Sequence, residues 1–211
     1  MKKVLLVGDS IRQGYEKYVT MAFEDTAQVF APKDCGRFAA YVLRYIGIWK
    51  AQLKCGEVDL IHWNAGLWDC LRMGDGLCHT ELPIYESYLN RVCDAIERLF
   101  PNARQIFATS TAVQEEKFTG ILKRYNADIE AYNEAAIRVL TARGAKINDL
   151  YAVTKGVPTE VYSDSTHFNT AAGTQLVTEP VIACIEQALN IKAKSLDYQV
   201  LFQKKTEIIG I

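Results

Sequence analysis

Apolar runs of strand length alternate with stretches of helical period along most of this chain, and that rhythm restricts the folds open to it. Strands are predicted over 3–7, 27–30, 60–63, 105–109 and 146–150, and helices over about 37–53, 83–100, 125–143 and 170–189. A strand that gives way to a helix and then to another strand must bury the helix's apolar stripe against the sheet. The repeated unit therefore implies a parallel sheet covered by helices on both faces. The expected strand order is 2-1-3-4-5, which sets the end of the first strand beside the topological switch point, where open α/β sheets form their ligand crevice. With 211 residues, 49% of them hydrophobic, and no Pro/Gly/Ser-rich linker, the chain reads as one domain over 1–191 followed by a tail, 192–211. That tail mixes charge with Val200-Leu201-Phe202 and Ile208-Ile209 and reads as a terminal strand or as an arm onto a partner subunit, which would make a homo-oligomer.

Charge excludes some partners. Twenty-four basic residues stand against 25 acidic ones, a net charge of −1, so there is no electrostatic footprint for nucleic acid or for stable association with an anionic membrane. A small-molecule substrate is the expected partner. The start, Met1-Lys2-Lys3-Val4-Leu5-Leu6-Val7-Gly8-Asp9, has an apolar stretch too short for a secretory core and reads as the first strand itself. Six cysteines in a chain of this size, without a signal segment, read as free thiols in a reducing cytoplasm.

Two motifs carry chemistry. Gly8-Asp9-Ser10-Ile11, with Gly14, directly follows the apolar run Val4–Val7, and Asp164-Ser165-Thr166-His167, with Asn169 and Gly173, precedes the last predicted helix of the domain. A strand that stops at Gly-Asp-Ser presents a hydroxyl at the carboxyl edge of the sheet. That hydroxyl is almost wholly protonated at neutral pH and needs a base within hydrogen-bond reach; His167 can be that base and Asp164 can orient it. Taken singly, each motif also reads as ordinary structure, a turn after a strand or a helix cap. Their joint occurrence favours the chemical reading.

Together with Asn64 and Gly66 after the third strand, these motifs resemble the SGNH, or GDSL-type, esterase family over residues 3 to about 175. The resemblance implies a flavodoxin-like three-layer α/β/α sandwich with a central five-stranded parallel sheet. It also implies a serine nucleophile Ser10, a base His167 oriented by Asp164, and an oxyanion hole built from the Ser10 and Gly36 backbone N–H groups and the Asn64 side chain. The third motif departs from the family: His62-Trp63-Asn64-Ala65 stands where Gly-x-Asn-Asp is usual. Asp69 is a candidate replacement for that carboxylate, Trp63 or Trp68 for a pocket wall, and Cys35-Gly36 matches the second motif by its place after the second strand.

The implied activity is hydrolysis of a carboxylic ester through an acyl-enzyme, with no cofactor and no metal. Arg12, Lys33, Arg37, Trp68, Asp69 and Arg72 suggest a polar crevice with an aromatic wall, of which Arg12, Trp68 and Asp69 are the candidate substrate contacts. This favours a small acyl group, such as acetyl, on a polar or carbohydrate scaffold. Lysophospholipase or thioesterase activity remains the alternative within the family. Outside it stand a noncatalytic module and a phosphate- or nucleotide-binding module, the latter lacking the Walker lysine and the dinucleotide glycine spacing. His62, inside an apolar strand, reads as a hydrogen-bonded core histidine. Residues 70–79 and 113–123 follow strand ends and are candidates to wall the site.

Overall fold

The computed structural model describes residues 1–209, with side chains through Gln203. Five strands, β1 (Lys2–Val7), β2 (Ala27–Phe30), β3 (Leu60–Trp63), β4 (Arg104–Ala108) and β5 (Lys146–Asn148), form one sheet in the order β2-β1-β3-β4-β5. Every neighbouring pair is parallel. The interior strands are fully buried from Val4 to Val7 and from Leu60 to Trp63, the continuous apolar pattern of a sheet covered on both faces. On one face α2 (Ala39–Leu53), α3 (Leu82–Leu99) and α4 (Asn126–Ala142) pack side by side; on the other, α1 (Ser10–Ala22), α5 (Leu150–Thr154) and α6 (Ala171–Leu189) do so. A three-layer α/β/α sandwich results, with the expected strand order.

Helix α1 is not among those the periodicity predicts, because Arg12, Gln13 and Gly14 interrupt its apolar positions. Its buried face, Ile11, Tyr15, Tyr18, Val19 and Ala22, nevertheless recurs at helical spacing. Asp9 starts the helix: its side chain accepts from the Ile11 N–H at 2.9 Å, an N-cap contact. The fifth strand ends at Asn148 instead of reaching residue 150, since Asp149 caps α5 by accepting from the Ala152 N–H.

The tail is helical where a terminal strand was one of the expectations. Asp197 accepts from the Val200 N–H at 3.1 Å and opens α7 (Tyr198–Ile209). Ahead of it, the Lys194 N–H donates to Ala22 O, and Tyr18 lies 5.8 Å from the Tyr198 ring and 6.1 Å from Phe202. To that point the tail rides on α1 and α6 of its own chain. Side chains from Lys204 onward, including Ile208 and Ile209, and all of Gly210 and Ile211 lie outside the described residues. No described helix is long and apolar enough to cross a membrane, and all six cysteines are free thiols.

Candidate active site

Ser10 is the first residue of α1, directly beyond the turn that ends β1. Its Oγ lies 2.8 Å from Nε2 of His167, and the His167 Nδ1 lies 2.8 Å from Oδ2 of Asp164. Since a carboxylate only accepts, Nδ1 carries the ring proton and Nε2 is left as the acceptor for the serine hydroxyl. The other carboxylate oxygen of Asp164 accepts from the Thr166 and His167 N–H groups at 2.7 and 2.8 Å. Asp164 therefore shapes the turn that presents the imidazole as well as holding the ring. Desolvation pushes the Asp164 carboxyl up, but the hydrogen bonds from the His167 and Thr166 backbone and from the imidazole outweigh it and lower its pKa. The His167 carbonyl accepts in turn from Ser163 N–H and Oγ, which fixes the turn from behind.

Two candidate oxyanion donors lie beside the turn that carries Ser10. Among the described residues the Ser10 N–H, in the first turn of α1, has no partner. Asn64 continues the β3 ladder by donating its N–H to Val7 O at 3.1 Å, and its side chain is nearly buried beside Gly8. A Cβ on Gly8 would come within 1.8 Å of Asn64 Oδ1, so only glycine leaves room for that amide.

Gly36 differs from expectation. Its N–H donates to Gly8 O at 2.7 Å, so the third oxyanion donor predicted from the sequence is already engaged within the chain. Its role is close approach: a Cβ there would meet Gly8 O at 2.6 Å. Position after β2 brought Gly36 to the right place, but a spacing carries no record of which backbone groups pair.

Arg12 is a correction. Far from reaching a substrate, it is fully buried, and its guanidinium donates to Pro32 O at 2.9 Å and Asp34 O at 2.6 Å, reaches Gly8 O, and pairs with Glu16. It ties the turn after β1 to the loop after β2. Asp69 is a second correction, being fully buried with both oxygens accepting from the Ala39 N–H at the start of α2. Burial pushes its carboxyl up to about 7, against those hydrogen bonds. Trp63 is core, packed edge-on against Phe107. Trp68 alone of the three substrate candidates is partly exposed. Lys33 is exposed, Arg37 lies over the Tyr41 ring, and Arg72 is paired with Asp128, tying the loop after β3 to α4. His62 is buried; Asn148 Nδ2 donates to its Nε2 at 3.1 Å, and burial pushes its pKa down to about 3. Burial likewise pushes the Cys35 thiol up. Among the described residues no group of His, Cys, Asp and Glu is arranged to hold a metal ion.

Residues outside the predicted serine–histidine–aspartate set also meet here. The Gln114 N–H donates to Ser165 O at 2.9 Å, joining the loop after β4 to the turn that carries Asp164 and His167. Arg124, near the end of the same loop, donates from Nε to Leu67 O at 2.7 Å. Asp9 Oδ2, Asn64 Oδ1, Ser110 Oγ and Thr111 Oγ1 are buried without a protein partner among the described residues, and their side chains line one small recess beside the start of α1. Their signal was positional only: Ser110 and Thr111 follow β4 as Asn64 follows β3.

This architecture is that of solved esterase and lipase structures. A lipase/acylhydrolase from Enterococcus faecalis superposes with a TM-score of 0.72 at 18% identity, covering 93% of this chain and 100% of that one. A GDSL-like lipase from Bacteroides thetaiotaomicron gives 0.69 at 15% identity over 89% of each chain. An acetyl xylan esterase gives 0.67 at 16% identity, covering 87% of this chain and 99% of that one. The chain thus has the fold of the GDSL-type lipases and acylhydrolases. No family model matches the sequence, and no curated protein does so.

Proposed function

We propose that the protein is an SGNH/GDSL-type serine hydrolase that cleaves carboxylic esters through an acyl-enzyme. The observation that carries this reading is the continuous chain from Ser10 Oγ to His167 to Asp164, with 2.8 Å at each link, at the carboxyl edge of the sheet. Ser10 Oγ attacks the ester carbonyl while His167 Nε2 takes its proton, and Asp164 stabilises the imidazolium that forms. In this reading the tetrahedral oxyanion is met by the Ser10 N–H and the Asn64 side-chain amide. His167 then gives its proton to the departing alcohol. Water, activated by the same imidazole, attacks the acyl group and releases Ser10. None of these steps calls for a metal or cofactor.

The acyl group is small in this reading, and acetyl on a polar or carbohydrate scaffold fits it best. The recess bounded by Ser10, Ile11, Gly14, His167, Phe168, Asn169 and Val177 measures about 10 Å³, near the minimum for a single water, so the acyl group lies outside it. Cleavage of long-chain esters or thioesters has one observation in its favour: Leu77, Ile121 and Leu122 are exposed on the loops after β3 and β4. The deciding experiment combines fluorophosphonate labelling of the wild type and Ser10→Ala with a panel of acylated sugars and p-nitrophenyl esters. Labelling confined to Ser10, with hydrolysis lost in the variant, supports the reading; labelling or turnover that survives Ser10→Ala overturns it.

A further inference from the structure

Arg124 stands apart from the other cations around the site. Arg12 is paired with Glu16 and Arg72 with Asp128. Arg124 has no carboxylate partner among the described residues, although much of its side chain is buried. Its Nε is fixed on Leu67 O, and its guanidinium carbon lies 6.0 Å from both the Trp68 and the Phe118 ring centres. Both terminal NH2 groups make no hydrogen bond to the described chain. Leu67, whose carbonyl holds the Arg124 Nε, also lines with Asp9 and Asn64 the recess beside the turn that carries Ser10, which places the guanidinium at the edge of the same site.

Such an arrangement is expensive for a protein to keep without purpose. A half-buried cation gains from a counter-charge, and neither Asp9 nor Asp164 forms an ion pair with this one. Asp9 caps α1 through Oδ1 and leaves Oδ2 without a protein partner, and Asp164 is held by His167 and its own turn. Meanwhile the side chain is immobilised by a backbone carbonyl and flanked by two aromatic rings, so its planar fork is preorganised.

We propose that the terminal NH2 groups of Arg124 bind an anionic group, a carboxylate or a phosphate, on the ester that Ser10 attacks. The inference rests on the hydrolase reading and names the substrate class: esters with a negative charge close to the scissile bond. A guanidinium engages either anion with two parallel N–H···O bonds, and the Trp68 and Phe118 rings offer flanking surface to the scaffold that carries the charge.

The test uses matched esters: 4-acetoxybenzoate, its neutral amide 4-acetoxybenzamide, and 4-acetoxyphenyl phosphate. The wild type should favour the charged esters in kcat/KM by roughly 10- to 100-fold, the effect of a charge-assisted pair. Whichever anion gains more identifies the source of the charge. Arg124→Gln should bring the charged-to-neutral ratio to about one, Arg124→Lys should hold it between, and raised salt should erode it in the wild type only. A wild-type ratio of one or less, or a ratio unchanged in Arg124→Gln, overturns the proposal. Fluorophosphonate labelling of Ser10 reads the hydrolase assignment separately. If labelling and all hydrolysis fail, that assignment falls, and calorimetric titration with benzoate and inorganic phosphate judges the anion site alone. Binding lost in Arg124→Gln upholds the site, whereas no binding, or equal binding by a variant that melts like the wild type, overturns it.

Discussion

β1 passes to α1 through Gly8 and Asp9 alone, whereas residues 64–81 intervene between β3 and α3, and residues 109–125 between β4 and α4. The short turn is fixed on every side: Asp9 caps its helix, Arg12 grips Gly8 O, and Gly36 donates to the same carbonyl. The long excursions cross over one another instead, through the Arg72–Asp128 pair and the Arg124 contact with Leu67. They also expose Leu77, Ile121 and Leu122 to solvent. A serine that must meet an imidazole within a fraction of an ångström gains from a turn with no freedom. Selection among substrates gains from surfaces that vary without disturbing the sheet. In the proposed reading, reaction resides in the short turn and the Asp164–His167 segment, and choice of ester resides in the loops after β3 and β4.

The largest effects should therefore come from the tight elements. Ser10→Ala and His167→Ala are each expected to lower kcat by about three to six orders of magnitude without unfolding the protein, and the double variant should be scarcely worse, because the two act as one unit. Additive losses would break that unity. Asp164→Asn should cost less than either, since backbone contacts around residue 163 still restrain the His167 turn. Its lowered pKa means that the carboxylate's favourable contacts persist above the ordinary carboxylate range and fade only as pH falls through the depressed value. In a pH profile, activity lost through Asp164 should appear only on that acid side.

Next comes Asn64, which belongs to a long loop by sequence and to the tight turn by contact. Asn64→Ala is expected to reduce kcat about 100- to 1000-fold with little change in KM, as for a donor engaged chiefly in the transition state. A change confined to KM would move Asn64 to the substrate-selecting side of the comparison.

A smaller effect concerns stability. The folded pKa of Asp69 is raised, so from about pH 4 to 7 the unfolded chain holds fewer protons and stability falls as pH rises. His62 is depressed to about 3, so below about pH 6.5 the unfolded chain takes up a proton that the folded one refuses, and stability falls as pH drops. The two slopes oppose each other, each at most ~1.4 kcal/mol per pH unit. Asp69→Asn should therefore steepen the acid-side decline between pH 6.5 and 4, measured by urea denaturation at several pH values; an unchanged slope would remove Asp69 from that balance.

The smallest effect is graded. Across a series from acetyl to octanoyl with a common leaving group, kcat/KM should decline modestly, because an added methylene finds little dry surface. In an apolar tunnel each would gain about 0.8 kcal/mol, and a maximum at octanoyl would shift the reading to long-chain substrates.

Periodicity and the two terminal motifs were enough for the layers, the strand order and the grouping of Ser10, Asp164 and His167, because each rests on local patterns of burial and turn chemistry. Helix α1 escaped because Arg12, Gln13 and Gly14 interrupt the start of its apolar stripe, where an aspartate cap and a buried arginine hold the helix instead. Arg12 and Asp69 were misread as substrate contacts for a related reason. Charged residues after strand ends look alike in sequence, and only the packed chain reveals that one staples two loops and the other receives a helix N-terminus. Arg124 was invisible because its distinction is the lack of a carboxylate partner among the described residues, a property of three-dimensional neighbours.

The separation between the serine and its base also has a consequence in time. All five strands are complete by Asn148, yet Ser10 Oγ waits for an imidazole 157 residues further along the chain. At about 5–20 residues per second of synthesis, the hydroxyl precedes its base by roughly eight to thirty seconds. In the proposed reading, a nascent chain is in effect its own zymogen, inert until His167 has been made. The same order makes a division of the chain between Asn148 and Asp164 a natural switch: the larger fragment holds every strand and the serine, the smaller one holds the base, and activity would report their reunion.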